Sequence, residues 1–152
     1  MAEILNIEEV MARDGSYVGT TVGVSMYPML RNRRDTIVVR APRGTLRKFD
    51  VALYKRGDGA YVLHRVVGFE PGGYIILGDN CLNKEHVREG QILGVLEEFW
   101  RGDAHCDPHS GWWMAYARAW YALWPARRLG MKARSAAGRV KRRVMGAHRG
   151  AE

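Results

Sequence analysis

Between Tyr17 and Phe99 the chain is cut into six short β-type runs separated by turn residues, and this punctuation constrains its fold most. The runs are Tyr17–Val24, Thr36–Arg40, Val51–Lys55, Tyr61–Phe69, Tyr74–Leu77 and Ile92–Phe99. Arg33-Arg34-Asp35, Ala41-Pro42-Arg43-Gly44, Gly57-Asp58-Gly59 and Pro71-Gly72-Gly73 break them. Strands of this length with tight turns predict a compact, mostly β domain over residues 1–100. Ahead of it, Ile4, Ile7, Val10 and Met11 fall at helical spacing, with Asp14-Gly15 as a stop, so one short amphipathic helix is expected. Residues 101–111 read as a Gly/Asp/His/Pro loop linking the domain to a tail, 112–152. The tail carries helical patterns from Trp112 to Trp124 and from Ala126 to about Met145, with Pro125 as a break.

Charge marks the same boundary. Residues 1–110 hold 14 basic and 15 acidic side chains, whereas residues 111–152 hold 10 basic and one acidic. A near-neutral domain therefore bears a strongly cationic tail. With 152 residues, 47% of them hydrophobic, the chain can bury a real core, and wholesale disorder is excluded. No apolar run approaches the roughly 20 residues that span a bilayer. Glu3, Glu8 and Glu9 interrupt the short apolar stretches at the N-terminus, so no secretory signal is expected. Two cysteines, Cys81 and Cys106, are too few for a disulfide framework. The expected setting is cytoplasmic, or peripheral on the cytoplasmic face of a membrane.

Three segments carry residues suited to chemistry. Gly23-Val24-Ser25-Met26-Tyr27-Pro28 sits where a β run ends, and a proline-fixed turn there displays the Ser25 hydroxyl. In Tyr61–Val67, strand alternation puts His64 on the face shared with Val62 and Val66, opposite Leu63, Arg65 and Val67. The third is an apolar strand emptying into Gly78-Asp79-Asn80. Each has a bland reading as turn or core.

In this order and spacing the segments resemble the type I signal peptidases and their relatives, the self-cleaving SOS-repressor peptidases. Ser25-Met26-Tyr27-Pro28-Met29-Leu30 resembles that family's nucleophile box, and Leu63–Gly68 the stretch that carries its general base. Arg34–Val39, Phe49–Tyr54, Gly78-Asp79-Asn80 and Ile92–Leu96 are similar to its remaining boxes. The resemblance covers Tyr17 to Phe99. It implies a signal-peptidase-like β domain with a Ser25–His64 dyad, the histidine standing where many members use lysine, as in the archaeal and endoplasmic-reticulum branch. A neutral imidazole accepts the serine proton near pH 7, and an acid fixes its tautomer. Asp79 is the first candidate for that acid and Glu85 the second. Gly23 stands where signal peptidases place an oxyanion-hole serine, so Gly23, Met26 and Pro28 shape a nucleophile loop whose backbone N–H groups, notably that of Ser25, must serve.

The function implied is a serine endopeptidase that cuts a precursor or leader peptide after small residues, with no metal and no organic cofactor. The alternatives are a catalytically silent peptide-binding module, or a membrane- or nucleic-acid-tethered interaction protein acting through its tail. His105-Cys106-Asp107-Pro108-His109 reads as a solvated loop rather than a zinc site, because it lacks a second spaced cysteine. Cys81 reads as a partly buried thiol. Trp113, Trp120 and Trp124 fall within about 40° on a helical wheel. They suit either packing against the domain or, with the basic residues that follow, an anchor on an anionic membrane surface through residues 112–145. No motif for specific nucleic-acid readout accompanies the basic residues.

Overall fold

Asn6 opens helix α1 (Ile7–Asp14) by accepting the Glu8 N–H at 3.3 Å, and Gly15 closes it by donating its N–H to the Met11 carbonyl. In this computed structural model, which describes residues 6–148, the chain is mostly β. Ile4, part of the helical pattern, lies outside the described residues, as does the end of the tail. Eight strands follow: β1 (Ser16–Thr20), β2 (Asp35–Arg40), β3 (Val51–Lys55), β4 (Tyr61–Glu70), β5 (Gly73–Leu77), β6 (Glu85–Arg88), β7 (Ile92–Arg101) and β8 (Ala104–Cys106). They form one antiparallel sheet in the order β1-β2-β7-β3-β4-β5-β6, with β8 added to β7. Helices α2 (Gly111–Ala122) and α3 (Trp124–His148) complete the chain.

The six β runs all appear as strands, with one shortened. β1 ends at Thr20 rather than Val24, because Thr21 turns its N–H to the Asp35 carbonyl and its hydroxyl to the Arg31 carbonyl, opening a loop. β6 and β8 go unread in the sequence. β6 offers only Val87 as an apolar residue, and β8 is three residues long. Each is specified by the neighbour it pairs with rather than by its own pattern. The expected loop 101–111 therefore contains a strand. Pro125 does act as a break, at the second residue of α3, where its missing N–H costs nothing.

The central strands are buried on both faces. From β3, Val51 and Leu53 join Met11, Met29, Leu30, Ile37, Val39, Leu96 and Phe99 in one core, while Ala52 and Tyr54 join Val66, Tyr74, Ile76, Val87 and Val95 in the other. α2 packs on the first core: Trp113 meets Phe99 edge-on with ring centroids 5.1 Å apart, and Ala117 is fully buried. Trp113, Trp120 and Trp124 are thus engaged by the domain itself, whereas Trp112 is exposed. Among the described residues, no helix is long and apolar enough to cross a membrane.

Candidate active site

Ser25 sits in the loop from Thr21 to Arg34, which is anchored at three points. Met26, Met29 and Leu30 are buried in the first core. At the loop's far end Asp35, wholly buried, accepts the Arg31 backbone N–H at 2.7 Å and two guanidinium N–H bonds at 2.9 and 2.6 Å. At the serine, Asn80 donates its backbone N–H to the Ser25 carbonyl at 2.8 Å and its side-chain amide to the Val24 carbonyl at 3.2 Å. Asn80, at the end of the Gly78-Asp79-Asn80 segment, therefore holds the Ser25 loop directly. Pro28 follows a cis peptide bond from Tyr27. Gly23 has φ +99°, a conformation in which any side chain is strained, and its N–H is taken by Asn32. A serine hydroxyl could not be placed there without cost.

His64 lies in the middle of β4, on the face expected from alternation, and is only 3% exposed. Its cross-strand partner on β3 is Ala52, whose small side chain leaves room for the imidazole. Nδ1 stands 3.2 Å from the Tyr54 hydroxyl and 3.3 Å from Glu85 Oε1. Glu85 in turn accepts from two guanidinium nitrogens of Arg56, Nη2 and Nε, the latter at 2.8 Å. Burial lowers the His64 pKa from its usual value, partly opposed by the Glu85 charge, so the ring is neutral at pH 7. The Arg56 hydrogen bonds hold the Glu85 pKa below the ordinary range and keep it ionised. An ionised carboxylate at Nδ1 favours the tautomer protonated there and leaves the Nε2 lone pair free.

Asp79 is therefore not the acid beside the histidine. Its carboxylate accepts two N–H bonds from Arg65, both at 2.8 Å, and the Tyr116 hydroxyl at 2.8 Å. Both Asp79 and Arg65 are only 3% exposed. The Asp79 carbonyl takes the Trp120 indole N–H at 2.8 Å and Arg127 at 2.9 Å, and the Cys81 carbonyl takes the Trp124 indole at 3.2 Å. Alternation explains the reassignment. His64 and Arg65 are neighbours on β4 and point to opposite faces, so Asp79 meets Arg65 while β6 carries Glu85 to His64. Of the two acids weighed from the sequence, Glu85 faces the imidazole.

Ser25, Met26, Gly23 and His64 line one cleft of about 450 Å³, walled mainly by apolar residues such as Leu30, Ile37, Leu53 and Leu63. A Cβ at Gly78 would lie 2.9 Å from His64 Nε2 and 2.9 Å from the Ser25 carbonyl, so these two atoms are no further apart than twice that distance. The Ser25 hydroxyl itself is not a hydrogen-bond partner of His64; Nε2 faces the Cys81 sulfur at 4.0 Å. Burial pushes the Cys81 thiol pKa up, which disfavours the thiolate.

Several residues of this site were missed in the sequence. Tyr54 was legible in principle: a hairpin pairing Lys55 with Tyr61 puts Ala52 opposite His64 and Tyr54 two residues along the same face. Arg56 carries no local signal, and the contacts of Arg65, Tyr116, Trp120 and Arg127 with Asp79 depend wholly on packing. The His105–His109 segment is engaged elsewhere, His105 with Glu98 and His109 with Asp50. Among the described residues no group of three or more His, Cys, Asp or Glu side chains is arranged to hold a metal ion. Comparison with protein-family models and with curated proteins finds no match.

Proposed function

We propose that this chain is a serine endopeptidase of the signal-peptidase type, working through Ser25 and His64 with Glu85 as the positioning acid. The observation that carries the reading is a buried, neutral histidine oriented by a carboxylate and sharing an apolar cleft with a serine on a firmly anchored loop. His64 Nε2 takes the Ser25 proton as the hydroxyl attacks the scissile carbonyl, and the imidazolium is stabilised by Glu85. The Ser25 backbone N–H is the donor nominated for the oxyanion. The same imidazole returns the proton to the leaving amine, and water then releases the acyl-enzyme. The substrate is an extended precursor or leader segment with small residues one and three positions before the cut, as the sequence resemblance implies. The setting is the cytoplasm or the cytoplasmic face of a membrane.

A second reading, a peptide-binding module without turnover, is favoured by one observation: Nε2 faces the Cys81 sulfur rather than the Ser25 hydroxyl. Fluorophosphonate labelling read by intact mass, beside cleavage of a precursor with alanines at the two small-residue positions, separates them. The peptidase reading expects a covalent adduct on Ser25, lost in both Ser25→Ala and His64→Ala, with the double variant little worse than either. Binding of the precursor without adduct or cleavage establishes the module instead.

A further inference from the structure

Helix α3 leaves the domain after one turn. Trp124 and Arg127 reach back to the Cys81 and Asp79 carbonyls, and from Leu129 to Val140 nearly every side chain is exposed, Leu129 by 71% and Val140 by 62%. The helix from Trp124 to His148 carries eight Lys and Arg residues and no acid. At 100° per residue, Leu129, Ala133, Ala136, Ala137 and Val140 fall within an arc of about 100°. Lys132 and Arg139 lie to one side of this stripe and Arg134 to the other.

From this arrangement we propose that α3 seats the domain on an anionic lipid surface through the Leu129–Val140 stripe. Three features converge on a membrane as the occupant. The apolar stripe is small and flat, suited to shallow burial at the headgroup boundary. The cations flanking it can lay their stems along the apolar region and place their charges among lipid phosphates. A projecting helix containing Gly130 and Gly138 gains little from propensity or tertiary packing, so an interface that covers the stripe would favour the helical state. Nucleic acid would engage the cations but leave the stripe in water. The face differs from that expected from the sequence, because Trp113, Trp120 and Trp124 are turned to the domain.

The test is flotation of the full chain with vesicles of phosphatidylcholine alone and with added phosphatidylglycerol, independent of any peptidase assay. Binding is expected only with the anionic lipid. A K132Q/R134Q/R139Q variant should lose roughly fivefold per charge, or on the order of a hundredfold in all. An L129Q/V140Q variant keeps every charge and should still weaken binding by at least about tenfold. These positions are exposed, so unchanged circular dichroism and thermal midpoints will show that the variants fold. Failure of the wild-type chain to float with anionic vesicles overturns the proposal. So does L129Q/V140Q binding like wild type, and so does binding to a short DNA duplex without flotation.

Discussion

Asp79→Asn should cost this protein far more in stability than in chemistry. The substitution removes the charge that compensates Arg65, a guanidinium only 3% exposed, while leaving the Arg65 side chain in place. Breaking a buried ion pair from one side typically costs about 3–5 kcal/mol, because the remaining charge stays desolvated. Tyr116 keeps an acceptor in the new amide oxygen, so the loss belongs mainly to the ion pair. In a domain of this length each 1 kcal/mol lowers the thermal midpoint by about 2–4 °C, so a fall of roughly 6–20 °C is expected. The double variant Arg65→Met/Asp79→Leu removes both charges and should recover much of the loss, since buried pairs replaced by apolar residues are often neutral or better. Urea unfolding followed by tryptophan fluorescence and circular dichroism measures both effects. The assignment of Asp79 to the scaffold is refuted if Asp79→Asn costs less than about 1 kcal/mol, or if the double variant is no better than additive. It is also refuted if folded Asp79→Asn loses as much kcat as Glu85→Gln, because that would give Asp79 the positioning role at His64.

Glu85→Gln should do the reverse. Its ion pair with Arg56 is half-exposed, so the stability cost should stay within about 1 kcal/mol, while kcat falls because Nδ1 loses its ionised partner. The acid limb of kcat/KM should lie below the ordinary histidine pKa and move further down in Glu85→Gln, since the Glu85 charge raises the His64 pKa against burial; an upward or absent shift contradicts the assignment. His64 also links to folding: its depressed pKa leaves its contribution intact above the unfolded value, and that contribution is lost as pH falls through the folded value. Urea titrations across that window in wild type and His64→Gln should show the difference. Gly78→Ala should disable the site, because the new Cβ would meet Cys81 Sγ at 2.5 Å and both His64 Nε2 and the Ser25 carbonyl at 2.9 Å. Wild-type cleavage by Gly78→Ala would show that this close approach is dispensable.

The strands that bury alternating or continuous apolar residues were legible because periodicity and Gly/Pro/Asp turns are local facts, and β2, β3, β4, β5 and β7 needed nothing else. The same locality fixed the face of His64, but it carried the first β run on to Val24, whereas β1 stops at Thr20 and Ser25 lies within the loop that follows. The sequence could also supply two acids for the histidine, but not choose between them. That choice rests on β6, a strand with one apolar residue that exists through its pairing with β5, and on the opposite facing of His64 and Arg65. The tail divided in the same way. A wheel drawn from the sequence gathers the tryptophans on one face whatever they touch. Only the tertiary structure turns that face onto Phe99 and the Asp79 and Cys81 carbonyls, leaving the Leu129–Val140 stripe uncovered. Periodicity fixes which side chains share a face; what a face meets depends on residues distant in the chain, whose contacts leave no mark in any short window.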